Sequence, residues 1–159
     1  MKTFTDNAGN TWSLSITVDA VKRVRSLLNV NLMDVIEGTL LEKLSADPVL
    51  LCDVLFAVVK PEADAKGITD EQFGRAMGGD AIEAATAALL DDLVDFFPSQ
   101  RRKLLGRALA KFAEFEAKAM KHANAKLDAL DDAAMNRLLN IGGAPSGNSP
   151  ASSESPPAP

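Results

Sequence analysis

The segment from Pro48 to Lys60 constrains the fold more than any other part of the chain. Val49, Leu50, Leu51, Cys52, Val54, Leu55, Phe56, Val58 and Val59 leave a helix here almost no polar face. A helix that is apolar nearly all round belongs at the centre of a fold. Its start is well marked. Asp47 fits the N-cap and Pro48 the first helical position, where a missing N–H costs little. Pro61 is expected to lie at its end. The apolar run Val49–Val59 is broken by Asp53 and is too short to span a bilayer.

Residues 1–17 read as a β-hairpin. Lys2–Thr5 is one strand candidate, and Asp6-Asn7-Ala8-Gly9-Asn10 supplies turn residues that tolerate positive φ. Trp12, Leu14, Ile16 and Val18 then alternate with Thr11, Ser13, Ser15 and Thr17, which predicts four apolar side chains on one face. A lone hairpin is marginal in water, so it must lie on helices or pair with another chain.

The period from residue 18 to about 139 is helical. Asp19–Leu28 puts Val21, Val24, Leu27 and Leu28 on one stripe. Leu32, Met33, Val35 and Ile36 form a second apolar group, and Leu40, Leu41 and Leu44 a third. Thr69 and Gln72 fit a capping box. Asp80 is expected to cap Ala81–Phe97, with Ile82, Ala85, Leu89, Leu93 and Phe96 inward and Asp91, Asp92 and Asp95 facing water. After Pro98, a long helix is predicted over about 99–130. Leu105, Leu109, Phe112, Ala119, Ala123, Leu127 and Leu130 make a narrow seam on it, of the kind a coiled coil or a partner groove uses. Such a helix extends about 45 Å, more than a core of this size covers. Its far half must be solvated or lie on another chain. A short helix, Asp131–Leu139, follows. From Gly142 onward only Pro, Gly, Ser, Ala, Asn and one Glu remain, a composition that cannot offset its ordering entropy. The expected fold is therefore mainly α. It is a helical bundle (18–139) with an N-terminal β-hairpin (1–17) and a disordered Pro/Ser-rich tail (142–159).

Composition narrows the chemistry. The 159 residues include one Cys and one His. No internal disulfide can form, no zinc site of three or four Cys/His ligands can be built, and a Ser-His-Asp triad would need His122 as its base. His122 has no carboxylate at helical spacing on its face and reads as a solvated histidine. Cys52 lies among apolar neighbours and reads as inert. Asp91, Asp92, Asp95, Asp131 and Asp132 lack the spacing of a calcium loop and read as a polar face. Gly78-Gly79 precedes a helix, but Asp80 disfavours an anion there. No catalytic residue, metal or cofactor is expected.

Net charge is −5, unevenly spread. Residues 34–97 carry 14 acidic and 4 basic groups, whereas residues 98–141 carry 9 basic and 5 acidic groups. The acidic middle argues against general nucleic-acid binding. The start of the sequence has no secretory signal pattern, and with one free thiol the expected setting is a reducing cytosol, with no membrane partner. What remains is partner binding through apolar surface. The candidates are Trp12 with Phe4 on the hairpin, and Phe96, Phe97, Phe112 and Phe115 around the Pro98 break.

The order of segments is FTDNAGNTWSLSITVDAVKRV, then DPVLLCDVLFAVVKPEADAKGITDEQFGRAM, then GGDAIEAATAALLDDLVDFFP, then a basic long helix and a Pro/Ser tail. Over about residues 1–115 this resembles the tail assembly chaperones of long-tailed bacteriophages and prophages. The resemblance implies a non-enzymatic protein of the bacterial host cytoplasm, absent from the finished virion. It would bind the tape measure protein, keep it soluble and help recruit tail tube subunits. It could also form a homo-oligomer. The alternative is a structural virion component or connector-type adaptor that uses the hairpin for β-augmentation.

Overall fold

A computed structural model describes residues 1–130 and 132–140. The chain is mainly α with an N-terminal antiparallel hairpin, as its patterning predicts. Two strands, β1 (Lys2–Thr5) and β2 (Thr11–Leu14), precede the helices. The helices are α1 (Val18–Leu28), α2 (Thr39–Ala46), α3 (Pro48–Lys66), α4 (Asp70–Ala76), α5 (Asp80–Phe96), α6 (Ser99–Asp128) and α7 (Asp132–Leu139), with one 3-10 turn at Leu32–Val35. The predicted tail 142–159 lies outside the described residues. The chain divides into two compact units, one ending at Phe112 and the next beginning at Ala113.

In the first unit, the hairpin is organised by one carboxylate. Asp6 accepts from the backbone N–H groups of Ala8 and Asn10, both at 2.9 Å, and from the indole Nε1–H of Trp12 at 2.8 Å. Gly9 completes the turn at φ 84°, a conformation open to residues without Cβ. Phe4 then pairs opposite Trp12, and both rings meet Phe73 of α4 edge-on, at 6.5 and 5.2 Å between centroids. Phe56 of α3 approaches the same ring at 5.4 Å. Full burial of a side chain such as Phe73 contributes about 2–3 kcal/mol.

Asp47 caps α3 as its sequence predicts, accepting from Val49 and Leu50 N–H at 3.0 Å. The helix does not stop at Pro61. It runs on to Lys66 and ends at Gly67, which takes the left-handed conformation at φ 66°. Proline inside a helix leaves the carbonyl four residues earlier without its N–H. That carbonyl belongs to Ala57, and Arg23 of α1 donates to it at 3.1 Å and to the Val58 carbonyl at 3.0 Å. Side-chain donation from a neighbouring helix lets α3 pass through its proline. The capping box of α4 is also present, with Thr69 and Gln72 bonding each other's backbone.

Several expectations need correction. β2 stops at Leu14, and Val18, instead of joining the hairpin face, begins α1 with 60% of its surface exposed. Ile16 is buried, but by a loop rather than a strand. Leu27 is exposed and does not share the buried stripe of Val21 and Val24. Gly79, not Asp80, is the N-cap of α5. Asp92 faces inward with 5% exposure, because it falls in the stripe of Ala85, Ala88, Leu89 and Leu93. There it accepts from Ile16 N–H at 2.5 Å, and its other oxygen lies 2.8 Å from the Met1 α-amino group. A buried carboxylate thereby ties the hairpin strands' outer ends to α5.

Candidate functional site

The six candidate partner-binding rings separate by burial, and Phe4 is buried in the core. Trp12 is wholly buried, with Lys66 Nζ over its ring at 4.5 Å. Phe97 is 3% exposed and meets Phe96 edge-on at 5.5 Å. These two are core residues and have no free face for a partner. The reason is local. Trp12 is fixed by its bond to Asp6, and the Phe97 carbonyl is gripped by Arg102 Nε at 3.3 Å while Arg102 Nη2 takes Asp95 O at 2.9 Å. A cation there satisfies the carbonyls ending α5. Phe96 and Phe112 are half-buried, and Phe115 is 69% exposed.

Phe115 belongs to the longest run of exposed positions among the described residues. Along α6, Leu105 is buried and Leu109 and Phe112 are half-buried. Every residue from Ala113 to Leu130 is exposed. Period 3.6 places Phe115, Ala119, Ala123 and Leu127 in continuation of the Leu105–Leu109–Phe112 stripe, with Met120 at its margin. Lys103, Arg107 and Lys121 lie toward the other side, and Lys111 and Lys118 flank Phe115 at the edge of the seam. The result is a basic helix with an uncovered apolar seam. In α7, Met135, Leu138 and Leu139 are exposed as well.

A second feature was not legible in the sequence. An open groove of about 310 Å³ lies between α3, α4 and the start of α5. Its apolar lining includes Val49, Cys52, Met77 and Ile82, and its polar lining is Asp53 and Asp70. Burial pushes the Asp53 carboxyl above the usual range, and the charges of Asp70 and Asp47 push the same way. Burial, with Asp53 and Asp70, raises the Cys52 thiol to about 11. A thiol so shifted stays protonated near neutral pH and is a poor nucleophile.

The hairpin has one edge already occupied. Ser13 N–H donates outward to Glu62 Oε2 at 2.9 Å, and the Thr11 carbonyl accepts from Lys66 Nζ at 2.7 Å. Glu62 and Lys66 are themselves paired at 2.7 Å. Burial raises the Glu62 carboxyl, but its bonds from Lys66 and Ser13 and the Lys66 charge outweigh this and hold it low. Charged side chains on a strand edge block pairing with another strand.

His122 is exposed on α6. Among the described residues no group of three or more His, Cys, Asp or Glu side chains converges as a metal site, and no helix is long and apolar enough to cross a membrane. Asp131 lies outside the described residues. No family model matches the chain, and neither a curated protein nor a solved structure matches it.

Proposed function

We propose that this chain is a non-enzymatic tail assembly chaperone that binds the tape measure protein of a long-tailed phage and assists tail tube assembly in the host cytoplasm. The observation that carries the reading is the uncovered apolar seam of α6, with Phe115 at its most exposed point. A long helical client with an apolar stripe is held by such a surface through helix-to-helix packing. Many weak, similar contacts can coat a long client, and polymerising tube subunits can displace them. The acidic residues of the first unit keep a coated complex in solution by mutual repulsion.

The adaptor reading relies on strand addition to the hairpin. The outer edge of β2 is taken by Glu62 and Lys66, so it offers less support there. Co-expression with the neighbouring long helix-rich gene product tests the chaperone reading. Higher client solubility and co-purification are expected; unchanged solubility overturns it. Mass spectrometry of purified particles separates the two roles. Stoichiometric presence in the virion would replace the chaperone reading with the adaptor.

A further inference from the structure

We propose that the groove between α3, α4 and the start of α5 receives α6 of a second copy of this chain, with Phe115 entering it and Lys111 and Lys118 reaching Asp53 and Asp70. This goes beyond the chaperone reading, since it needs no client.

The groove offers apolar lining from Val49, Cys52, Met77 and Ile82 beside two carboxylates. No lysine or arginine lines it, and neither Asp53 nor Asp70 joins an ion pair among the described residues. Burial, and then the charges of Asp70 and Asp47, raise the Asp53 carboxyl, and no positive charge counters them. Val49, on its rim, is 68% exposed, which is unusual for a large aliphatic at the start of the central helix.

α6 supplies the complement. Lys111 lies one turn before Phe115 and Lys118 one turn after, so all three share a side of the helix. All three are exposed. Over the whole helix, Ser99–Asp128, there are 8 basic and 3 acidic residues, whereas residues 1–98 hold 16 acidic and 8 basic. Pairing α6 with another α6 would bring like charges together. Pairing it with the acidic groove brings opposite charges together and covers apolar surface on both sides. Each copy carries one groove and one helix, so the interface is head-to-tail and builds rings or open chains. In the resting protein the seam that a client would use is then covered, and client and second copy compete for it.

Sedimentation of the protein alone tests this. The wild type is expected to self-associate with rising concentration, less so at high salt. Asp53→Lys/Asp70→Lys and Lys111→Glu/Lys118→Glu should each sediment as a monomer, with association weakened about tenfold or more per pair reversed. An equal mixture of the two variants should associate again, since opposite charges face each other once more. Asp70→Lys alone, at an exposed position, serves as the groove variant if the double change fails to fold. A monomeric wild type at all concentrations, association that survives both reversals, or a mixture that stays monomeric each overturns the proposal. So does association lost in Phe115→Asp but untouched by either charge reversal, which would point to apolar α6–α6 pairing.

Discussion

The guanidinium of Arg23 stands in for the missing N–H of Pro61 by donating to the Ala57 carbonyl at 3.1 Å. Two helices are coupled by this one bond and its neighbour to Val58. Asp19, one turn before Arg23 on α1, pairs with the other guanidinium nitrogen and fixes its direction.

That coupling makes a double-mutant cycle informative. Arg23→Ala is expected to cost about 1–2 kcal/mol, because a part-buried carbonyl loses its donor. In a Pro61→Ala background the helix supplies its own N–H, and the same change should cost about 1 kcal/mol less. Urea titration of the four proteins measures the difference. Equal costs in both backgrounds would show that Arg23 acts independently of the proline.

Asp6 predicts its own acid sensitivity. Burial raises its carboxyl, but the bonds from the Trp12 and Asn10 side chains and from the Asn10 and Ala8 backbone outweigh that and leave it below the usual range. A carboxyl depressed in the folded state contributes stability above its unfolded pKa of about 3.9, and this is lost as pH falls through the lower folded value. Asp6→Asn places a donor against donors and should destabilise by about 2–3 kcal/mol near neutral pH. The loss should shrink as pH falls below the unfolded value and through the lower folded one, where the wild type loses the same contribution. Chemical melts at neutral and acid pH check the convergence.

Asp53 carries the opposite sign. Its folded carboxyl is raised, so folding is favoured while it is protonated, and that advantage disappears as pH rises through the folded pKa. Asp53→Asn is therefore expected to raise the melting temperature at neutral pH and to have little effect in acid. A lower melting temperature at neutral pH would contradict the absence of a positive partner.

Cys52 should be slow to modify. With its thiol raised to about 11, roughly a thousandth of it is thiolate at about pH 8. Iodoacetamide is expected to label the native protein far more slowly than the urea-unfolded chain, as followed by intact mass.

Trp12 and Phe115 should behave as opposites. Trp12→Ala empties a fully buried site and should cost about 3–5 kcal/mol. Phe115→Asp changes an exposed ring and should leave the melt of the first unit in place while client solubilisation falls. Thermal melts beside the co-expression assay separate loss of folding from loss of binding.

Much of the architecture could be read from pattern. The Asp47-Pro48 start, the Thr69–Gln72 capping box and the period-two run from Thr11 each rest on local chemistry, which sequence displays directly. The failures are tertiary. Pro61 reads as a terminus because nothing near it in sequence announces Arg23. The charge of Asp92 predicts the wet side, although spacing from Ala85, Ala88 and Leu89 puts it in the buried stripe. Trp12 reads as a candidate contact because an aromatic in a short hairpin has no obvious shelter; Phe73 provides it from α4, and Asp6 of the hairpin's own turn holds the indole in place. The groove beside Asp53 joins three helices, and no single segment carries its signature. The exposure of the far half of α6 is legible because a helix of that length outruns the supply of apolar neighbours.

The pair Glu62 and Lys66 has a wider effect than holding the hairpin down. By filling hydrogen-bonding positions on the rim of β2 from outside, they close that edge of the hairpin to templated growth. A high local concentration of this protein then does not seed amyloid-like stacking from that rim.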